Sequence, residues 1–432
     1  MPDQYFVGLR ATSDLATNER PQHWRAGILR LFPNGDMPLT ALTSLMKSNK
    51  VSDPHFHWWT KGLPTQRASI TGVYTDAGLS NAYTSGGNAG DTLFIKMSAS
   101  DVAMFRTGHQ VLLRDASNYA VDVVGKVTGV VAAGANSYVS VVLLEDDDNS
   151  TTNDLSDADT ILIIGNINPQ GGTRPEAINQ APTEHDNYTQ IFRNSLDLSR
   201  TLMETKLRTE DAYLEAKRDC LELHGIEMEK AFIWGIKSSG TGVNGKPEYT
   251  TGGLLEFIKS NGVVEDFSLD TDSKYAGQTW LQAGDQWLDE HFEEVFRYGS
   301  DEKLAFCGSG ALLGINRLAK SVGSIQLAVR EAAFGIKVVE WVTPFGVIML
   351  KRHPLFSYEP TNRNSMVIFE PADIVYNYIT DTTFMPDTTY QKGGGSGKDG
   401  KEEEFLTEAG LEFHHPEKCA YLNGIGVDNN VV

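Results

Sequence analysis

The stretch "RTEDAYLEAKRDCLELHGIEMEKAFIWG", residues 208–235, decides how the rest of this chain is read. It predicts one unbroken helix of about seven turns, roughly 39 Å long. Thr209 suits the N-cap, Glu210 and Asp211 sit well against the positive end of the dipole, and Gly235 marks the stop. On a helical projection Tyr213, Leu214, Cys220, Leu221, His224, Met228, Ala231 and Phe232 share one apolar face, broken only by Lys217. Glu215, Arg218, Asp219, Glu222 and Glu229 are expected opposite, yet Leu223, Ile226, Ile233 and Trp234 interrupt that polar side. Two readings stay open. The helix is buried on one face with some exposed aliphatics, or it is a rod with a second contact surface for another subunit.

The chain has 432 residues, 40% hydrophobic and 22% charged, which fits a globular protein with two or three cores. No apolar run approaches the length of a membrane span. The opening "MPDQYFVGLRATSDLATNERPQ" has no basic region followed by an apolar core, so no secretory signal is expected. Cys220, Cys307 and Cys419 form no spacing motif, which points to a reducing compartment. A net charge of −20 excludes tight DNA binding over the whole surface, although Arg20, Arg25 and Arg30 cluster near one end.

Around the helix the character of the sequence changes several times. Residues 1–65 carry Phe32, Phe56, Trp58 and Trp59 among prolines and turn residues, and only "LTALTSLMKS" has helical periodicity. Such a segment cannot bury its own aromatics and must lie across this chain's body or a neighbour's. From about 72 to 170, β-branched runs such as "DTLFIKM", "HQVLLRD" and "DTILIIG" alternate with Gly, Asn and Asp turns, predicting a compact all-β unit. Beyond the helix come a short helix at "TTGGLLEFIKSNG", a longer one at "TWLQAGDQWLDEHFEEVFRYG", the strand "KLAFCG" and the helix "ALLGINRLAKSVG". "IKVVEWVTPFGVIMLKRH" reads as a hairpin, and "SMVIFEPADIVYNYI" as one or two strands. A glycine-rich break then precedes one last strand-like segment, "FLTEAGLEFHHPEKCAYLNGI". The class is α+β with an all-β insertion.

Candidate chemical sites are weak. "GTGVNGKP", Gly240–Pro247, places Lys246 as in a phosphate-binding loop, but Pro247 replaces the hydroxyl residue and a helix precedes it, so a surface turn is expected. "CGSGALLG", Cys307–Gly314, lies between strand and helix, with Glu340 as a conceivable ribose acid. Its glycine spacing is wrong and a hairpin follows, so a tight turn is expected there too. His55 and His57 share a strand face without a third ligand, and the adjacent His414 and His415, near Cys419, point to opposite faces. The acid-rich loop 145–159 lacks the glycine and final glutamate of a calcium loop and reads as a solvated turn, with weak divalent binding open.

Taken in order, these segments resemble a tailed-bacteriophage major capsid protein of the Hong Kong 97-type fold. "GDMPLTALTSLMKSNKVSDPHFHWWTKGLP" is similar to its N-arm, and "NYTQIFRNSLDLSRT" with "DAYLEAKRDCLELHGIEMEKAFIWG" to the approach to its spine helix. "TTGGLLEFI" resembles the segment after the spine, and "VVEWVTPFGVIMLKRHPLF" the axial hairpin. "SMVIFEPADIVYNYI" and "EEEFLTEAGLEFHHPEKCAYLNGI" are similar to its last strands. The resemblance implies an arm over 1–65 and an extended-loop region over 66–180 carrying the insertion. It further implies a peripheral domain with the spine helix over 181–250, an axial domain over 251–390, and a glycine-rich break with the final peripheral strand over 391–432. The stretch 72–170 departs from the simple hairpin usual in that region.

The implied function is structural, not enzymatic, and needs no cofactor. Copies assemble into pentamers and hexamers of an icosahedral shell around packaged double-stranded DNA. Portal and scaffolding proteins are the implied partners, with a decoration protein as an option; DNA is met by proximity only and no membrane is involved. The implied location is the virion capsid, assembled in the host cytoplasm. Phe32, Trp58, Trp59, Leu223, Ile226, Ile233 and Trp234 are the expected assembly contacts. A tail or decoration protein, or a nucleotide-binding enzyme, are the alternatives.

Overall fold

A computed structural model describes residues 39, 47–62, 66–118, 121–147, 154–205, 211–322, 327–331, 337–387 and 399–431. It divides into two compact units, Met1–Thr60 with Glu184–Val432, and Lys61–Thr183.

In the larger unit a four-stranded sheet runs in the order Ser48–Lys50, Ile374–Met385, Gly400–Phe413, Gln190–Ser199. The first pair is parallel and the others antiparallel. Strict alternation shapes its centre. Glu403, Phe405, Thr407, Ala409, Leu411 and Phe413 are buried, whereas Glu404, Glu408 and Glu412 are partly exposed. A period of two on an extended strand sends those sets to opposite faces. The long helix Ala212–Trp234 lies on the apolar face.

A second sheet of seven strands is mixed, in the order Val263–Asp266, Ala420–Asn423, Met366–Phe369, Glu302–Cys307, Val347–Arg352, Lys337–Val342, Leu327–Glu331. Its central strands are buried almost without interruption because both faces are covered. Leu304, Phe306, Val367 and Phe369 point into the core shared with the long helix and helix Leu254–Asn261. Ala305, Cys307, Met366 and Ile368 point into a second core under helices Trp280–Phe296 and Ser309–Val322. Trp280, Trp287 and Phe292 fill that core edge to face with Phe267 and Trp341.

The expected hairpin around Pro344–Gly346 is present, closed by the Thr343 N–H donating to the Gly346 carbonyl at 2.8 Å. "SMVIFEPADIVYNYI" resolves into two strands, Met366–Phe369 and Ile374–Met385, in different sheets. The closing segment is corrected: it is two strands, Gly400–Phe413 in the four-stranded sheet and Ala420–Asn423 in the seven-stranded one.

The smaller unit is a single antiparallel sheet in the order Arg67–Ser69, Thr160–Asn166, His109–Arg114, Asp122–Val131, Tyr138–Leu143, Thr92–Lys96, Gly72–Tyr74. Val111, Leu113, Val127, Val139, Val141 and Ile161, all fully buried, form the centre of its core. Each such side chain contributes about 1.5–3 kcal/mol, enough in sum to hold a sheet of this size together. The α+β class expected from sequence is the class observed.

Candidate functional site

The long helix is capped two residues later than its sequence suggests. Thr209 lies outside the described residues, and Asp211 is the cap, accepting from the Tyr213 and Leu214 amides at 2.8 and 3.3 Å. The end is where expected. Gly235 donates to the Ala231 carbonyl at 2.8 Å, and a Cβ there would lie 2.3 Å from that oxygen and 2.5 Å from the Thr251 carbonyl. Only glycine lets the chain pass so close.

The buried face differs from the projected one. Cys220, His224, Met228, Phe232 and Ile233 are buried, but so is Glu229, which was expected on the polar side. Leu214 and Leu221, expected inside, are 60% and 47% exposed. The buried stripe rotates along the axis because the two halves have different neighbours. The first half rests on the sheet, against Leu196, Leu198 and Phe405, with Met203 of the short helix Arg200–Glu204 beside it. The second is enclosed by that sheet, by the 254–261 helix and by Phe356 and Phe306.

Polar side chains pin the helix to the sheet. The Tyr213 hydroxyl donates to Glu403 at 2.7 Å, and Lys401 pairs with the same carboxylate at 2.9 Å. Burial pushes the Glu403 carboxyl up, but the Lys401 and Tyr213 hydrogen bonds hold it below its ordinary value. His224 is wedged between Asn194 at 2.6 Å and Thr407 at 2.7 Å, and burial lowers its pKa. Glu229 accepts from the Leu39 amide at 2.8 Å and meets His353 at 2.8 Å, both side chains being fully buried. That network ties residue 39, the helix and the end of strand Val347–Arg352 together.

The seven expected contact residues separate into groups. Phe32 lies outside the described residues. Trp59 and Leu223 are 61% and 55% exposed, and Ile226 is half-buried. Trp58 is buried in its own unit and donates its indole N–H to the Phe413 carbonyl at 3.0 Å. Ile233 is fully buried, and Trp234 packs edge-on against Phe356 at 5.1 Å. Ile233 is therefore a core residue, placed there by the rotation of the stripe.

The candidate chemical motifs are structural. Gly240–Pro247 forms the turn of hairpin Ser238–Thr241 and Pro247–Thr250, the Gly242 amide donating to the Lys246 carbonyl at 2.8 Å. At Cys307–Gly314 the glycines admit the chain's own backbone. The Gly310 and Ala311 amides both donate to the Arg363 carbonyl, at 3.0 and 3.1 Å, and a Cβ on Gly308 would lie 2.2 Å from that oxygen. The helix N-terminus that would hold a pyrophosphate is already satisfied. His55 pairs with Asp186 at 2.9 Å, His57 with Glu184 at 3.0 Å, and His414 with Glu412 at 2.6 Å. Among the described residues no three His, Cys, Asp or Glu side chains gather as a metal would require. All three cysteines are buried and unpaired.

The described side chains thus present no catalytic constellation and one long helix with apolar residues left outside. Comparison with known proteins agrees. The model of the family described as SU10 major capsid protein matches residues 11–426. The major capsid protein of Pseudomonas phage PaMx41 is 23% identical over 415 residues, covering 92% of this chain and 91% of that protein. Among solved structures, the capsid of a native GTA particle overlays with a TM-score of 0.40 at 9% identity, covering 94% of each chain. The capsid of Cyanophage P-SCSP1u gives 0.39 at 11% identity, covering 62% of this chain and 81% of that one.

Proposed function

The chain belongs to the SU10 major capsid protein family, and we propose that it builds an icosahedral phage shell of pentamers and hexamers around double-stranded DNA. It is a structural protein of a phage shell, not an enzyme. One observation carries the finer reading. Leu214, Leu221 and Leu223 project from a helix whose C-terminal half buries its large apolar residues, although an isolated subunit gains nothing by exposing three leucines on one element. Together with Trp59 they are the surfaces offered to neighbouring copies. Ile233 and Trp58 serve the subunit's own core instead. Ile226 and Trp234, half-buried at the rim, border both.

The net charge of −20 fits a lining that lets packaged DNA slide without sticking. Free buried cysteines fit assembly in a reducing host cytoplasm. Scaffolding, portal and decoration proteins are the further partners this reading requires, in the order in which a shell is nucleated, filled and reinforced.

Expression of the chain, with scaffolding protein where needed, followed by electron microscopy is the test. Shells or capsomer rings are expected, and a monomer under every condition overturns the reading. Removal of residues 1–38 isolates the arm, because it spares Leu39 and the strands from Ser48 onward. The truncated chain is expected to keep its melting midpoint and to lose shell formation; normal shells from it would remove the arm from the assembly contacts.

A further inference from the structure

The acid-rich stretch 145–159 of the smaller unit contains two buried carboxylates, Asp147 at 4% exposure and Asp154 at 1%. Asp147 is well supported. Its Oδ2 accepts from the Tyr83 hydroxyl at 2.6 Å and from the Leu155 amide at 3.2 Å. The Gly87 amide donates to the same Tyr83 hydroxyl at 2.7 Å, and the Asp147 amide donates back to the Gly87 carbonyl at 2.7 Å. Two donors thus converge on one carboxylate oxygen of Asp147.

Asp154 has no such support. It occupies the cap position of the short turn Leu155–Asp157, where an aspartate ordinarily accepts an amide, yet makes no cap bond. Both its carboxyl oxygens are buried with no N–H or O–H donor in reach, and the Asp147 carboxyl is their polar neighbour. Burial comes first, then the charge of Asp147 and a carboxyl–carboxyl hydrogen bond to it, then Asp157, all pushing its pKa upward. A buried carboxylate facing a second one needs something between them. A proton would serve one Asp154 oxygen and leave the other without a partner. A cation engages both oxygens at once and offsets both charges.

We propose that Asp147 and Asp154 hold a hard divalent cation, Ca²⁺ by its ligand chemistry, that fastens the Tyr83–Gly87 segment to the 155–157 turn. With two protein carboxylates and no third acidic or imidazole ligand among the described residues, water completes much of the shell.

The test uses the full-length chain stripped with EDTA. Calorimetric titration with Ca²⁺ is read beside amide hydrogen exchange over residues 83–91 and 154–158. Wild type is expected to take up Ca²⁺, and its exchange in both segments is expected to slow on Ca²⁺ addition. Asp154→Asn, close in shape, is expected to bind one Ca²⁺ fewer per chain and to exchange equally with and without Ca²⁺. Glu176→Gln removes an exposed acid elsewhere in the smaller unit and is expected to behave as wild type. Wild-type exchange that ignores both Ca²⁺ and EDTA overturns the proposal, whatever the variants do. So does an Asp154→Asn chain that keeps the wild-type Ca²⁺ response. An Asp154→Asn chain that exchanges more slowly than wild type in EDTA, with no Ca²⁺ effect in either, identifies a shared proton and overturns it too.

Discussion

The two halves of the long helix have similar sequences and opposite fates. In the second half Met228, Glu229, Phe232 and Ile233 are buried on one broad face, with Glu227 and Lys230 exposed opposite. In the first, Leu214 and Leu221 stand in solvent while Cys220 and His224 face the sheet. Both halves mix aliphatic residues with glutamate and lysine. What separates them is the number of elements packed around each, so a helix's burial reports its neighbours more than its own pattern.

The largest effect is expected in the more enclosed half. Phe232→Ala removes a fully buried ring packed on Phe192 and Tyr376 and is expected to destabilise the larger unit by about 3–5 kcal/mol, read from denaturant midpoints. A loss below about 1 kcal/mol would mean that this half is as loosely held as the other.

An intermediate effect belongs to His224, at the junction of the halves. Burial depresses its folded pKa below the ordinary 6.5, although Glu227 opposes the shift. The unfolded chain therefore binds the proton more readily, and stability falls as pH falls through about 6.5 toward the folded value. The slope from this one group is at most about 1.4 kcal/mol per pH unit. His224→Gln is expected to flatten stability between pH 7 and 5.5 relative to wild type, roughly the window in which the unfolded imidazole titrates. An unchanged slope would assign the pH dependence to His109 and His291, which burial shifts in the same direction.

The smallest effect on folding is expected in the open half. Leu214→Asp touches a side chain that is 60% exposed and should change subunit stability by no more than about 0.5 kcal/mol. Its effect on assembly is expected to be large, with folded subunits that sediment as monomers or capsomers and form no shells. If the variant assembles normally, the open half is merely an exposed surface.

Much of this was legible in sequence. The helix ending at Gly235, the hairpin at 337–352, the strand at 302–307 and the all-β character of the smaller unit follow from local periodicity and turn residues. So does the unlikeness of Gly240–Pro247 to a nucleotide loop. The misreadings share one cause. Glu229 reads as a surface residue until Leu39 and His353 meet it, 190 and 124 positions away. Lys303, the charged residue of the strand "KLAFCG", is fully buried with its ammonium near the Tyr298 and Lys418 carbonyls at 3.2 and 3.3 Å. Asp154 reads as one more acid in a solvated turn.

By itself, then, the sequence determined the kinds of element, most of their ends and, through their order, the resemblance to a capsid subunit. These depend on contacts within a few residues, where propensity, capping and period act directly. Only the tertiary structure decided which helix face is buried, that the closing segment feeds two sheets, and that Ile233 and Trp58 are core while Leu214 and Leu221 are surface. Burial is fixed by partners hundreds of residues away, and a helix wheel contains no information about them.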